Sequence, residues 1–308
     1  MHCIQCTNLP VVSKNTKCYD SSIINCMSLV VGTESTDSQP RVGLYMGNIA
    51  FNIALLSYLV SALGYTLYLV YRRPMVNLIS AIALGLGLFS QTIAIGLRSM
   101  ETGHGPYTTG FEVASFFAWV IVVVFFLTEW KYRIRDLGAF VIPVVFLILF
   151  YSAFQSREIA MIDDPSTMFW LTMHRTLSIL GYAAFAIAFG AAIMYLIQEN
   201  QVKSKKLGVM YFRMPSLEVL DDLNYKVIAI GFPLFTLGFM TGSIWNIKSD
   251  ESFFSWDAMR TWPLIVVWLI YSGIFFGRLL VGWRGKKAAQ GAILGFVTII
   301  VTYFLHVV

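Results

Sequence analysis

Residues 76–97 read VNLISAIALGLGLFSQTIAIGL, a run of 22 residues without a single ionisable side chain. A helix needs about 20 predominantly apolar residues to cross roughly 30 Å of hydrocarbon, so this stretch is long enough to span a bilayer. Charged residues stand only at its borders, with Arg72 and Arg73 before it and Arg98 after it. The stretch therefore predicts a transmembrane helix.

Seven further segments share this character. The eight predicted spans are Asn48–Tyr71, Val76–Leu97, Phe111–Trp130, Leu137–Phe154, Phe169–Ile197, Tyr225–Trp245, Trp262–Gly282 and Gly291–Val308. Charged residues make up 13% of the chain, about half the share found in soluble domains. The strands of a membrane barrel are about ten residues long and alternate in polarity, and these segments do neither. The sequence predicts an all-α, polytopic membrane helix bundle with about eight transmembrane helices.

Lysine and arginine concentrate in alternate connections between the predicted spans. The first, third, fifth and seventh connections hold Arg72, Arg73, Lys131, Arg133, Arg135, Lys203, Lys205, Lys206, Arg213, Arg284, Lys286 and Lys287, and the others hold Arg98, Arg157, Lys248 and Arg260. Basic residues are retained on the cytoplasmic side, so we expect both termini to be extracytoplasmic. The net charge of +5 then reflects topology and contact with the lipid bilayer, and we expect no nucleic-acid partner.

Residues 1–45 form a polar tail before the first predicted span. It carries all four cysteines of the chain, Cys3, Cys6, Cys18 and Cys26. The Cys-x-x-Cys spacing is common in zinc sites, whereas cysteines outside the cell readily form disulfides. A third interpretation is a disordered tail or a start-site artefact, with Met27 or Met46 beginning the working protein. These three stay open, and we assign no function to the tail.

Three of the four histidines fall at the predicted extracytoplasmic ends of spans, together with an aromatic connection. They are His104, His174 and His306; the connection contributes Trp245, Phe253, Phe254, Trp256, Asp257 and Trp262, and nearby cations include Arg175 and Arg260. Imidazole is an axial ligand of haem iron, and arginine can pair with haem propionates. Tryptophan is also enriched at membrane interfaces without any ligand. On composition alone a haem site, another ligand or ion pathway, and interfacial anchoring stay open.

Several strings, in order, resemble the CcsA/ResC cytochrome c biogenesis family. Residues 242–262, with Gly242-Ser243-Ile244-Trp245, Ser255-Trp256-Asp257 and Thr261-Trp262, resemble its tryptophan-rich "WWD" segment. The family also shares similar stretches on both sides of this segment: residues 220–238 before it, and 268–271, 282–289 and 293–296 after it. Further upstream, Gly103-His104-Gly105-Pro106 with Glu112, and Met173-His174, are similar to the family as well. The resemblance identifies residues 46–308 as a CcsA-like transmembrane domain.

This resemblance implies a protein that holds haem b at the outer membrane face and presents it to apocytochrome c, as in system II maturation. It implies His174 as the principal axial ligand, His306 as the second and the aromatic connection as the haem platform. Asp257 would orient the short helix that carries the platform. A CcsB/ResB-like membrane partner is implied as well, in a bacterial plasma membrane or a thylakoid membrane. Whether thioether formation belongs to this chain stays open.

The chain departs from the family pattern at three places. In the tryptophan-rich segment, Asp250-Glu251 replaces a tryptophan-glycine pair and Phe254 replaces a tryptophan. The second external histidine of the family lies beyond its last helix, and Leu305-His306 is the only candidate for it here. Phe276 stands where the seventh span of the family has a histidine. Because that histidine helps to bring haem across the membrane in the family, its replacement leaves an alternative. The alternative is a HemX-like regulatory or assembly protein of haem metabolism without lyase activity.

Overall fold

A computed structural model of the chain describes residues 38–158, 164–205, 214–248 and 258–307, with side chains over 45–158, 164–205, 214–247 and 262–302. Within these ranges the chain forms eight α-helices and one 3₁₀ turn, Arg135–Leu137, with no strand. The helices are α1 Ser38–Tyr71, α2 Pro74–Thr102, α3 Gly110–Tyr132, α4 Gly138–Ser152, α5 Pro165–Lys203, α6 Leu217–Lys248, α7 Ala258–Val281 and α8 Lys286–Val307. The predicted tail and its cysteines lie outside the described residues, apart from the start of α1.

Seven helices, α1 to α7, are long and apolar enough to cross a membrane. This confirms the predicted all-α, multi-pass membrane protein. The eighth predicted span corresponds to α8, whose side chains are described only as far as Thr302. The count of eight spans and the extracytoplasmic position of the termini stay predictions.

The helix ends follow from local side-chain chemistry. Pro74 and Pro165 occupy the first turns of α2 and α5, where a missing N–H costs nothing. Asp164 caps α5 by accepting a hydrogen bond from the Thr167 backbone N–H at 2.7 Å. Thr109 and Glu112 form a reciprocal capping box at the start of α3, which satisfies two backbone donors that the first turn leaves unpaired. The first turns of α2, α3 and α5 are thus set by residues next to them in the sequence.

Helix α5 lies at the centre of the unit formed from Val42 onward and contacts α3, α4, α6, α7 and α8. Its closest approach is to α6, where a Cβ on Gly181 would stand 2.8 Å from the Phe235 Cβ and 3.0 Å from the Gly231 carbonyl oxygen. Small residues let membrane helices approach until their backbones touch. On α5 the buried Phe185 also stacks on Tyr271 of α7, with ring centroids 3.5 Å apart. The α5–α6 pair is therefore the closely packed centre of this unit.

The end of the bundle that carries the α7–α8 connection is held by one carboxylate. Asp221, in the second turn of α6, accepts a hydrogen bond from Arg278 Nη1 at 2.9 Å and from the Gly285 backbone N–H at 2.8 Å. The Arg278 guanidinium also lies over the Tyr225 ring. A single side chain thereby joins the start of α6, the end of α7 and the turn before α8.

Candidate functional site

His174 lies on the face of α5 that contacts α6. Its Nδ1 atom is 2.8 Å from the Gly238 carbonyl oxygen. A carbonyl can only accept, so Nδ1 carries the hydrogen and Nε2 keeps its lone pair. Histidines that bind metal ions commonly donate their second ring N–H in this way, which fixes the tautomer and the orientation of the ring. In the His174 imidazole, Nε2 is therefore the nitrogen that keeps its lone pair.

Two glycines of α6 let α5 approach closely, and Gly242 is the one that makes room for the His174 ring. A Cβ on Gly242 would stand 2.6 Å from His174 Nδ1 and 2.7 Å from its Cε1 atom, and a Cβ on Gly238 would stand 2.4 Å from Ser178 Oγ. The two glycines are four residues apart and so lie on one face of the helix. This pair was not predicted as part of a site, although Gly-x-x-x-Gly spacing in an apolar segment is a known signal of close helix contact.

Trp245 continues the same face of α6, one turn beyond Gly242. Its indole ring is parallel to the His174 imidazole, with an angle of 3° between the planes and 6.4 Å between the ring centroids. Both side chains are partly buried. The structure thus brings together two of the predicted site residues, His174 and Trp245, with their rings parallel.

Arg175, the next residue on α5, binds the connection between α2 and α3. Its Nη1 atom donates to the Tyr107 carbonyl oxygen. In the same connection His104 donates from Nδ1 to the Gly105 carbonyl oxygen at 2.9 Å, and its Nε2 lies 3.4 Å from Thr108 Oγ1. His104 is therefore held within its own loop, and Arg175 attaches that loop to the helix that carries His174.

A buried ion pair between α2 and α3 holds this loop. Glu112, which is 1% exposed, accepts from Arg98 Nε at 3.0 Å and from Thr108 Oγ1 at 2.7 Å. Arg98 also donates to the Arg157 carbonyl oxygen at 2.7 Å. Burial, and then the charge of Arg98, lower the pKa of the Arg157 guanidinium, which lies over the Phe111 ring. Glu112 was indicated in the sequence only by the family resemblance, and its distant partners have no signal there.

The remaining predicted site residues divide into two groups. Trp262 is described and lies half exposed at the start of the apolar part of α7. Phe253, Phe254, Trp256 and Asp257 lie outside the described residues, and so do the side chains of Arg260 and His306. Their roles stay predictions.

Comparison with known proteins assigns this architecture to a family. The family model described as "Cytochrome C assembly protein" matches residues 107–308, which include α3 to α8, His174 and Trp245. The chain belongs to the cytochrome c assembly family. This confirms the resemblance found in the sequence, and it makes the chain a multi-pass membrane protein of cytochrome c maturation.

Individual relatives of this cytochrome c assembly protein agree. "Cytochrome c biogenesis protein CcsA" of Guillardia theta is 28% identical over 278 residues, covering 83% of this chain and 91% of that protein. The protein of the same name from Synechocystis sp. is 25% identical over 307 residues, covering 82% of this chain and 92% of that protein.

A solved structure shares the fold of this family member. "Cytochrome c Heme Lyase CcmF" superimposes with a TM-score of 0.63 at 11% identity, over 85% of this chain. The chain spans only 47% of the length of that lyase. At this identity the similarity concerns the helix arrangement alone.

The described residues fit a haem group. A neutral imidazole with its Nδ1 hydrogen donated to a carbonyl is a suitable axial donor for haem iron, and His174 has this arrangement. The parallel Trp245 ring offers a flat surface of the kind that packs on a macrocycle. Within the described part of the site, the donor set therefore suits haem iron.

Proposed function

We propose that this protein binds haem b at the end of the bundle that carries His174 and presents it, on the extracytoplasmic face, to apocytochrome c in system II maturation. The observation that carries the proposal is the hydrogen bond from His174 Nδ1 to the Gly238 carbonyl. That bond has no role in helix formation, because the carbonyl belongs to a different helix. Its effect is to hold Nε2 in one direction with its lone pair available.

Each residue of the proposed site has a part in holding the group. His174 supplies the axial nitrogen, and His306 is the second ligand. Trp245, Phe253, Phe254, Trp256 and Trp262 exclude water from the ring faces, Asp257 orients the aromatic segment, Arg175 and Arg260 face the propionates, and His104 lies in the loop beside them. Haem, when bound, supplies the vinyl groups to which the thiols of an apocytochrome Cys-x-x-Cys-His sequence add.

The proposal includes a partner and a membrane. We expect a CcsB/ResB-like membrane protein to act with this chain. The cyanobacterial relatives named CcsA support a bacterial plasma membrane or a thylakoid membrane. Haem transport to the outer face would then precede its attachment.

The optical spectrum of the purified protein tests the ligand assignment. We expect the wild-type protein to show Soret and α bands of bound haem and the His174→Ala variant to lose them. Trp130→Ala is the control, because Trp130 is an exposed aromatic residue near the end of α3 and does not belong to the proposed site. A His174→Ala protein with a full haem complement and unchanged bands would contradict the proposal.

A second candidate function is regulation or assembly in haem metabolism, as in HemX-like relatives. Phe276 favours it, because a phenylalanine stands where the family has the histidine that helps to bring haem across the membrane. The Phe276 ring is 45% exposed on α7, and among the described aromatic pairs it contacts the rings of Phe232 and Phe275. No iron ligand stands at that position. Deletion of the gene separates the two functions: loss of all covalent c-type cytochromes indicates haem delivery, whereas changed tetrapyrrole levels with normal cytochromes c indicate regulation.

A further inference from the structure

A second feature of the bundle is a cavity whose described lining includes neither His174 nor Trp245. The cavity of about 690 Å³ opens between α3, α4, α5, α7 and α8. Its lining residues include Phe117, Ile148, Ile179, Phe189, Val267 and Phe296. Every helix that borders it, except α8, is among those able to cross a membrane. The cavity therefore belongs to the hydrocarbon-level part of the protein.

The length of the cavity along α5 matches the depth of one leaflet. On α5 its lining extends from Ile179 to Phe189, which at 1.5 Å per residue is about 15 Å. The hydrocarbon core of a bilayer is about 30 Å thick. At one end it is bordered by Val113 and Leu264, near the starts of α3 and α7. This is the end of the bundle that carries His174, so the cavity occupies the leaflet on that side.

The residue types that line the cavity indicate which kind of molecule can occupy it. All of the lining residues are uncharged, and the polar ones are Tyr151, Tyr182 and Thr302. Among the described lining residues none offers an imidazole, thioether or thiolate to haem iron, and none offers a cation to its propionates. Burying unpaired charges in a medium of low dielectric is strongly unfavourable. The lining therefore suits a long, neutral hydrocarbon group.

The rim of the cavity faces the bilayer. Leu147 and Phe154 at the α4 side, and Val301 on α8, line the cavity and are at least half exposed. In a membrane such residues contact lipid chains. A void of this size between lipid-facing helices loses dispersion contacts on every wall, and the material available at the rim to fill it is the acyl chain of a phospholipid.

From the depth, the uncharged lining and the lipid-facing rim, we propose that the cavity is a binding site for one acyl chain of a phospholipid from the leaflet at the His174 end. The chain enters between α4 and α8 and lies against α5. Its head group stays at the membrane surface beside the ends of α4 and α8. Because α5 carries both His174 and the cavity wall, the bound lipid supports the helix from which the proposed haem ligand projects.

Filling the cavity with a side chain tests the proposal. We expect the protein extracted in mild detergent to retain a phospholipid in native mass spectrometry, and the Ile148→Trp and Val297→Trp variants to lose it. Leu86→Trp is the matched control, because Leu86 is exposed on α2 and does not line the cavity. Equal phospholipid retention in the filled variants and the control would overturn the proposal, as would identification of the retained molecule as haem or an isoprenoid quinone.

A variant that fails to fold would also lose lipid, so a second measurement uses the unaltered protein. A phospholipid with a diazirine near the middle of its acyl chain is incorporated into membranes and activated by light. We expect labelled peptides to include the buried Ile179 and Phe296, which are 4% and 2% exposed. Labelling confined to outward residues such as Leu86 would contradict an occupied cavity.

Discussion

His174 Nδ1 and the Gly238 carbonyl oxygen are 2.8 Å apart, although the two residues are separated by 64 positions in the chain. The contact joins the two helices of the bundle that approach each other most closely, α5 and α6. An imidazole held by a backbone carbonyl cannot rotate without breaking that bond. The direction of Nε2 is thus a property of the helix pair rather than of a flexible side chain.

Gly242→Ala should displace the His174 ring. The added Cβ would stand 2.6 Å from Nδ1, inside the contact distance of real atoms, so the ring must move and the bond to Gly238 must lengthen. Disturbing the outer hydrogen bond of a metal-binding histidine costs roughly 10- to 100-fold in affinity. We expect a loss of this size in haem affinity, measured by titration of the purified protein with haem.

Gly273→Ala is the control for this substitution. Nothing lies within 4 Å of the Cβ that it would add on α7, and alanine favours a helix by up to about 1 kcal/mol over glycine. The control should therefore bind haem like the unaltered protein. If Gly242→Ala and Gly273→Ala behaved alike, the contact between α6 and the imidazole would have no role in haem binding.

The apolar spans could be predicted because their physical requirement, about 20 residues without charge, is local and visible in composition. Their ends could not be predicted from composition alone. Helix α6 begins at Leu217, as the helix-start pattern Pro215-Ser216-Leu217-Glu218 predicts, and before the apolar span from Tyr225, because its first two turns carry Glu218, Asp221 and Asp222. Helix α5 begins at Pro165 rather than Phe169 for a similar reason, since Asp164 provides the cap.

The candidate site was partly predictable. His174 was chosen because imidazoles at membrane boundaries are few and can bind iron, and Trp245 because of the aromatic segment. Gly238 and Gly242 were not chosen, because glycines are frequent in transmembrane helices whether or not they form a site. Arg98 and Glu112 form a pair from separate helices, and no local sequence pattern predicts which helices pack against each other.

Glu112→Ala should destabilise the whole loop region beside His174. The substitution removes the capping box and the 3.0 Å pair to Arg98, whose side chain is 10% exposed and which then keeps only the longer, 3.5 Å pair to Glu101. Breaking a buried ion pair in this way costs about 3–5 kcal/mol. We expect a decrease of this size in the free energy of unfolding, measured by denaturant titration in detergent micelles.

The control for Glu112 is Glu199→Ala. Glu199 pairs with Lys203 at 2.7 Å, but the lysine side chain is 63% exposed, and exposed pairs contribute about 0–1 kcal/mol. An equal effect of the two substitutions would show that the Arg98–Glu112 pair does not hold the loop.

Asp221→Ala should loosen the opposite end of the bundle. It removes two charge-assisted hydrogen bonds, from Arg278 and from the Gly285 backbone, and hydrogen bonds to charged groups are worth about 1.5–3 kcal/mol. We expect faster hydrogen exchange of the amides at residues 282–288, measured by mass spectrometry. Asp222→Ala removes only a half-exposed pair with Lys226 and should leave that exchange unchanged; equal exchange in both variants would contradict the assigned role.

Arg175→Met should release the α2–α3 connection from α5. The guanidinium donates to the Tyr107 carbonyl, and methionine keeps most of the side-chain volume without the donor. We expect faster hydrogen exchange over residues 103–109. The control, Arg284→Met, changes an exposed arginine between α7 and α8. Unchanged exchange in the Arg175 variant would mean that other contacts hold this loop.

The central claim is that the Nε2 atom of His174 binds haem iron, and chemical rescue tests it most directly. Replacement by glycine removes the imidazole and leaves space for a free one. The account predicts that the His174→Gly protein is purified without Soret absorption and that added imidazole and haem restore a low-spin spectrum in this variant. A His174→Gly protein that already shows the full wild-type spectrum without imidazole would contradict the account.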